Sequence, residues 1–327
     1  MQQGLLFASA RAKAKELNLF TEERLYRVME ARTLKDAVRV LAEANYGGGM
    51  NVTEENFYDA LKEEERLASE FLREAAPKGV GIECFFLLKD YHNLKVLVKT
   101  KRTNNDDYER MILSGGTYPL SELRERFDEG KISYVNPYME RALKSIRKCE
   151  ETDGLSPRKI DVELDKAAYE QIADILKGKN ADKYIREYFV SSVDAINLCS
   201  YVRTAKIGAE FNFFEEGFLP GGEITLELFR ECGFDVEKLC KKLKRGKYKE
   251  LLPSVKEGDL GAAETAKDDY LLRIFSVNKS DMFSVAPIVG YYLGKVNEVK
   301  VLRVVLSCIK NGVSGEEMKK RVRTLYA

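Results

Sequence analysis

Apolar residues recur along this chain every three or four positions with Lys, Arg, Asp and Glu between them, which is the period of a helix with one face turned inward. The segments GLLFASARAKAKEL, ERLYRVMEA, LKDAVRVLAEANY and ENFYDALKEEERLASEFLREAA all follow it. The last is predicted to start at Thr53 as N-cap, with Glu54 and Glu55 in its first turn facing the helix dipole, and to stop at Pro77-Lys78-Gly79. No series of alternating strands is predicted. GIECFFLL, residues 81–88, fits strand or helix alone, but Leu87, Tyr91, Leu94 and Val98 continue one stripe at intervals of 4, 3 and 4, which favours helix.

The next segment repeats. DYHNLKVLVKT, residues 90–100, returns as DAINLCSYVRT, residues 194–204, keeping Asp90/Asp194, Asn93/Asn197, Leu94/Leu198, Val98/Val202 and Thr100/Thr204, with a base at Lys99 and Arg203. LSGGTYPLSELRE, residues 113–125, returns as LPGGEITLELFRE, residues 219–231. The offsets are 104 and 106 residues, in the same order, and chance does not readily produce that pairing. A fainter third copy, NEVKVLR at 297–303, keeps the interval of six from Asn297 to Arg303. LAEANY, residues 41–46, and LKRGKY, residues 243–248, both set a leucine five residues before a tyrosine. The chain therefore divides into three related helical units, 1–112, 113–216 and 217–327, too long for the common helical solenoids. Each Gly-Gly pair reads as a positive-φ turn feeding a short helix.

Three residues make nearly one helical turn, so Asp90 and Asn93, like Asp194 and Asn197, share a face. Their expected role, with Asn297, is structural: hydrogen bonds that fix helix–helix register inside each unit. Lys99, Arg203 and Arg303 fit either a surface for a shared partner or charges complementing a helix C-terminus.

Composition removes several function classes. With 54 bases against 53 acids, the chain lacks the basic excess of a dedicated nucleic-acid binder. Six scattered cysteines form no CxxC, so they suggest buried thiols in a reducing cytoplasm and not a zinc site or a disulfide framework. Lys and Glu interrupt every hydrophobic stretch, so no membrane span is predicted, and MQQGLLFASARAKAKEL is a poor signal peptide. A soluble intracellular protein is expected.

A search for chemistry finds little. The single histidine, His92, corresponds to Ile196 in the second copy, so the repeat does not need it, and neither a nucleophilic triad nor a metal cluster can be read around it. GYYLGKV, residues 290–296, has three residues between its glycines where a phosphate loop has four, and no Ser/Thr after Lys295. Gly47-Gly48-Gly49 reads as a helix terminator. No catalytic, cofactor-binding or metal-binding residue is predicted.

Four stretches together resemble the C subunit of the archaeal and bacterial A/V-type rotary ATPases, the counterpart of the d subunit of the vacuolar enzyme. They are ASARAKAKELNLFTEERLYRVMEARTLKDAVRVLAEANYG, DYHNLKVLVKTK, LSGGTYPLSEL, and PIVGYYLGKVNEVKVLRVVLSCIKNG with its following VRTLYA. The copy DAINLCSYVRT departs most, with Cys199 where a charge would be unsurprising. The resemblance implies three similar all-α domains arranged as a pseudo-threefold funnel. It implies a non-catalytic subunit without cofactor on the cytoplasmic face of the membrane, seated on the proteolipid c-ring and receiving central-stalk subunits of the D/F type. Lys99, Arg203, Arg303 and the nearby Glu298 are then candidates for partner contacts or cavity lining. A generic intracellular helical adaptor is the main alternative, and a cryptic hydrolase or nucleotide-binding enzyme a second.

Overall fold

The computed structural model describes residues 2–103, 106–152, 154, 156–319 and 322–326. Every regular element among them is helical, as the three-to-four periodicity predicts. They fall into two compact units, one of residues 1–78 with 261–327 and one of residues 79–260.

The first unit contains α1 (Gln2–Glu16), α2 (Glu22–Met29), α3 (Leu34–Glu43) and α4 (Phe57–Ala75) from the start of the chain. Its core combines Phe20, Leu25, Val28, Leu41, Phe57 and Leu61 with Val299, Leu302, Val305 and Leu306 from near the other end. The second unit, following in sequence, begins with α5 (Glu83–Thr103), α6 (Leu120–Asp128), α7 (Pro137–Thr152), α8 (Pro157–Leu176) and α9 (Lys183–Lys206). It continues with α10 (Phe211–Gly217), α11 (Leu226–Cys232), α12 (Val236–Leu243) and α13 (Leu252–Glu257). The chain then re-enters the first unit through α14 (Leu260–Ser276), α15 (Ala286–Lys310) and α16 (Gly315–Lys319).

Helix α15 buries residues on every side, the mark of a central helix, and α1, α2, α3 and α4 all pack against it. In the second unit α5 lies against α8, with Tyr91, Leu94 and Leu97 in one core with Met139, Ile146 and Leu164. Further along, Tyr201 of α9 sits among Phe214, Phe229 and Phe234 at centroid distances of 5.4, 5.1 and 5.2 Å. Such offset and edge-on ring pairs add to the area they bury.

Local chemistry explains several helix starts. The Thr21, Thr33, Ser156 and Asp182 side chains each accept a backbone N–H from the first turn of α2, α3, α8 and α9. Thr53 does not cap α4. That helix begins four residues later, after Asn56, whose side chain turns back to accept from Thr53 N at 2.7 Å and donate to Asn51 O at 2.9 Å. Asparagine competes for local backbone groups better than threonine, and here it closes a turn that delays the helix. The ambiguous stretch 81–88 enters a helix, α5.

Asp182 accepts from Tyr184 N at 2.8 Å and Ile185 N at 3.4 Å at the start of the 24-residue α9. Asp182→Ala is expected to lower unfolding free energy by about 1–2 kcal/mol in urea titration, with Asp182→Asn recovering most of it.

Candidate functional site

The repeated residues form a clamp between each long helix and the loop after it. In the first copy, Asn93 Nδ2 donates to Leu113 O and Leu113 N donates back to Asn93 Oδ1, both at 2.8 Å. Asp90 accepts from Thr117 N at 2.8 Å and Tyr118 N at 3.3 Å. In the second copy Asn197 and Leu219 exchange the same two bonds at 2.9 Å, and Asp194 accepts from Glu223 N and Ile224 N, both at 2.9 Å. The partner of each Asp-x-x-Asn pair is thus a loop, where a second helix was expected. Gly115 and Gly221 turn the loop at φ of +77° and +99°, and the following glycine lets it press on the carboxylate. A Cβ on Gly116 would lie 2.0 Å from Asp90 Oδ1, and one on Gly222 2.0 Å from Asp194 Oδ1.

The second copy adds a bond from the Tyr248 hydroxyl to Asp194, which explains the tyrosine of LKRGKY. Burial pushes the Asp194 carboxyl up from its ordinary range, against the pull of Tyr248 and the two amides. Burial and the adjacent Asp194 together hold Tyr248 protonated.

The third copy clamps the C-terminal segment. Asn297 Nδ2 donates to Thr324 O at 2.7 Å. Three residues before it, where the other copies have aspartate, stands Gly294, and the ring of Tyr326 fills the space. A Cβ on Gly290 would lie 2.3 Å from the Tyr326 hydroxyl oxygen, and one on Gly294 2.8 Å from Tyr326 Cβ. The GYYLG spacing therefore seats an aromatic ring. The lost carboxylate has a substitute on α14, since Thr324 N donates to Asp269 Oδ1 at 3.1 Å.

Glu298 adjoins this copy and is 1% exposed. One carboxylate oxygen meets Lys295 Nζ at 2.7 Å and the other accepts from Phe20 N at 2.7 Å. Lys295 also reaches Glu64 at 3.2 Å, and Glu64 accepts from Gly47 N at 2.9 Å and Gly48 N at 3.3 Å. The triple glycine does not end α3, which stops at Glu43 with Asn45 in the left-handed turn at φ +53°; the glycines, at φ of +85°, +64° and +95°, instead turn the chain so that the amides of Gly47 and Gly48 cradle a carboxylate from the chain itself. Burial alone would lower the Lys295 pKa, but Glu298 and Glu64 outweigh it and the group is held charged. Burial raises the Glu298 pKa against the pull of Lys295. Sequence reasoning missed Glu64 and Lys295 as a pair. The available signal was a base inside the apolar run GYYLGKV, which needs a buried counter-charge.

The repeated bases meet different surroundings. Lys99 pairs with Asp161 of α8 at 2.6 Å, one turn from the parallel pair Lys95–Asp165, also 2.6 Å. Arg203 is exposed near the end of α9. Arg303 is half-buried and borders a surface hollow with Ser307 and Asn311. His92 Nε2 lies 2.8 Å from Met111 O. Among the described residues no group of His, Cys, Asp or Glu has metal-binding geometry, and no helix is long and apolar enough to cross a membrane.

Two expectations follow. Asp194→Ala strands the buried amide of Ile224 and the part-buried amide of Glu223 and should cost about 2–4 kcal/mol, and Gly222→Ala should cost a similar amount through the Asp194 clash. The double variant should fall short of the sum by about 1–3 kcal/mol, because removing the carboxylate makes room for the methyl; denaturant titration of the four proteins measures this. Lys295→Met should cost about 3–5 kcal/mol near neutrality by leaving two carboxylates facing each other. Glu298 then binds its proton more tightly folded than unfolded, so stability falls as pH rises out of the carboxylate range. Unfolding midpoints at acid and neutral pH should show a steeper fall for the variant than for the parent.

A profile described as the ATP synthase (C/AC39) subunit matches residues 8–321. The C subunit of an A-type ATP synthase from Desulfurococcus sp. is 26% identical over 330 residues, covering 96% of this chain and 89% of that protein. Its namesake from Thermococcus onnurineus is 27% identical over 334 residues, covering 97% and 89%. The C subunit of a V-type sodium ATPase from Enterococcus hirae is 22% identical over 320 residues, covering 96% of both. With the match running over residues 8–321, the chain belongs to the ATP synthase (C/AC39) subunit family, the C subunits of the A/V-type ATPases.

Proposed function

We propose that this chain is a non-catalytic coupling component of an A/V-type ATPase or ATP synthase, joining the central-stalk subunits of the D/F type to the proteolipid c-ring. Its rotation with the stalk would link ATP hydrolysis or synthesis to ion transport. The observation that carries the reading is the family match over residues 8–321. The reading also assigns the three units 1–112, 113–216 and 217–327 to a pseudo-threefold funnel on the cytoplasmic face of the membrane.

The physical demand on such a part is torque transmission without deformation. Long helices whose loops are tied down by paired hydrogen bonds suit that demand. Partner contacts are assigned to Lys99, Arg203 and Arg303, with Lys99 held in place by Asp161; Glu298, 1% exposed and bound to Lys295, is left inside the unit and takes no partner contact. Exposed ion pairs are individually weak and salt-sensitive, so several must act together.

Mixing the purified chain with detergent-solubilised ring, with stalk subunits, and with both, then weighing the products by native mass spectrometry, should yield a one-to-one bridged complex. Absence of binding to both, from a folded helical protein, overturns the proposal. The triple variant Lys99→Glu, Arg203→Glu, Arg303→Glu should bind about tenfold more weakly at low salt, about 1.4 kcal/mol, with a shallower salt dependence. Unchanged binding at both low and high salt removes these bases from the interface.

A further inference from the structure

The segment 322–326 has no regular secondary structure, yet every one of its residues is engaged. Val322 packs against the core of the first unit and Leu325 lies inside it. Arg323 Nε donates to Asp268 at 2.6 Å. Thr324 is read three times: its amide donates to Asp269 at 3.1 Å, its hydroxyl lies 3.2 Å from the same carboxylate, and its carbonyl accepts from Asn297 at 2.7 Å. Tyr326 is 6% exposed, with Lys279 Nζ 5.9 Å from its ring centroid and Glu16 of α1 3.5 Å from its hydroxyl. Side chains of α14 and α15 thus hold the backbone of Thr324, in place of the backbone partners that a helix or strand would supply.

Helix α15 is shaped for this contact. Gly290 and Gly294 stand four residues apart and so share a face, although glycine inside a helix is less stable than alanine. What they provide lies outside the helix, because a methyl at either position would collide with Tyr326.

We propose that α1, α14 and α15 form a binding groove for an extended peptide of the pattern apolar-Arg-Thr-Leu-Tyr, filled by residues 322–326 as a strap that opens and reseats while the rest of the first unit stays folded. Three chemistries are set along one extended segment: a carboxylate for the guanidinium, a carboxylate and an amide for the threonine, and a glycine socket for the ring. That is how a groove reads a peptide by sequence. A short segment held this way gives up few buried contacts on leaving, so it opens at lower free energy than the helices beneath it. Since the Tyr326 hydroxyl reaches Glu16, opening also frees the end of α1.

The test uses the chain alone, so its result stands apart from the proposed function. In the full chain, Gly294→Ala should raise amide hydrogen exchange about tenfold or more in residues 322–326 and in the last turn of α1. Residues 299–306 of α15 should stay as protected as in the parent. A chain ending at residue 321 should bind a labelled VRTLYA peptide one to one in fluorescence anisotropy, titrated to about 1 mM, the order of concentration that a short tether supplies. Tyr326→Ala or Arg323→Glu in the peptide, or Gly294→Ala in the shortened chain, should weaken that binding about tenfold or more. The full chain should ignore the peptide, because its groove is filled. Exchange that rises equally through the whole first unit overturns the proposal, since the segment is then part of the core and not a strap. So does a folded shortened chain that fails to bind the peptide, or binds it regardless of residues 294, 323 and 326. A full-length dimer that exchanges its straps between copies also overturns it, by giving the groove another occupant. If the shortened chain does not fold, the exchange result on the full chain decides.

Discussion

A loop laid across a buried helix brings its backbone N–H and C=O groups with it, and each one lacking a partner costs as much as several well-packed methylenes would return. The paired bonds between an asparagine amide and one loop peptide answer that constraint here, and much of the fold follows from it. Asn93 and Asn197 each satisfy both polar groups of one leucine, and the aspartate a turn earlier takes the two amides that follow the glycines. The amino-acid choices are linked, since the carboxylate sits where a side chain on Gly116 or Gly222 would otherwise project.

The third copy shows how such a motif can change its material and keep its task. Asn297 still holds a carbonyl, but the aspartate has become Gly294, a tyrosine ring takes the space, and Asp269 supplies the carboxylate from a different helix. Beside it, the Lys295–Glu298–Glu64 network ties α15 to α4, to the amide of Phe20 and to the triple-glycine turn. Buried charges of this kind add little net stability over an apolar filling, but they strongly penalise any alternative register in which one of them is left unpaired.

Helical class, the repeat and the structural nature of Asp90, Asn93, Asp194 and Asn197 were legible because each is written locally, in periodicity or in spacing that recurs. The loop partner of the clamp was within reach, since the Gly-Gly segments repeat with nearly the same offset, but nothing local says that a carboxylate touches a particular glycine. Glu64 could not be told from its neighbours in KEEER, because burial of one glutamate among several depends on a lysine more than 200 residues away. Thr53 misled because capping preferences compete, and the asparagine three residues on closed its own turn first.

The first unit draws its central helix from the far end of the chain. Residues 1–78 contribute α1 to α4, but the core they surround is completed by Val299, Leu302, Val305 and Leu306 of α15. On a ribosome those four helices emerge well before their counterpart. At about 5–20 residues per second they wait roughly 10–50 s with the inner faces of Phe57, Leu61 and Leu41 uncovered, while residues 79–260 have all they need to fold. The order of assembly therefore departs from the order of synthesis: the middle of the polypeptide has its whole core before the beginning does, and the beginning is completed only together with the end.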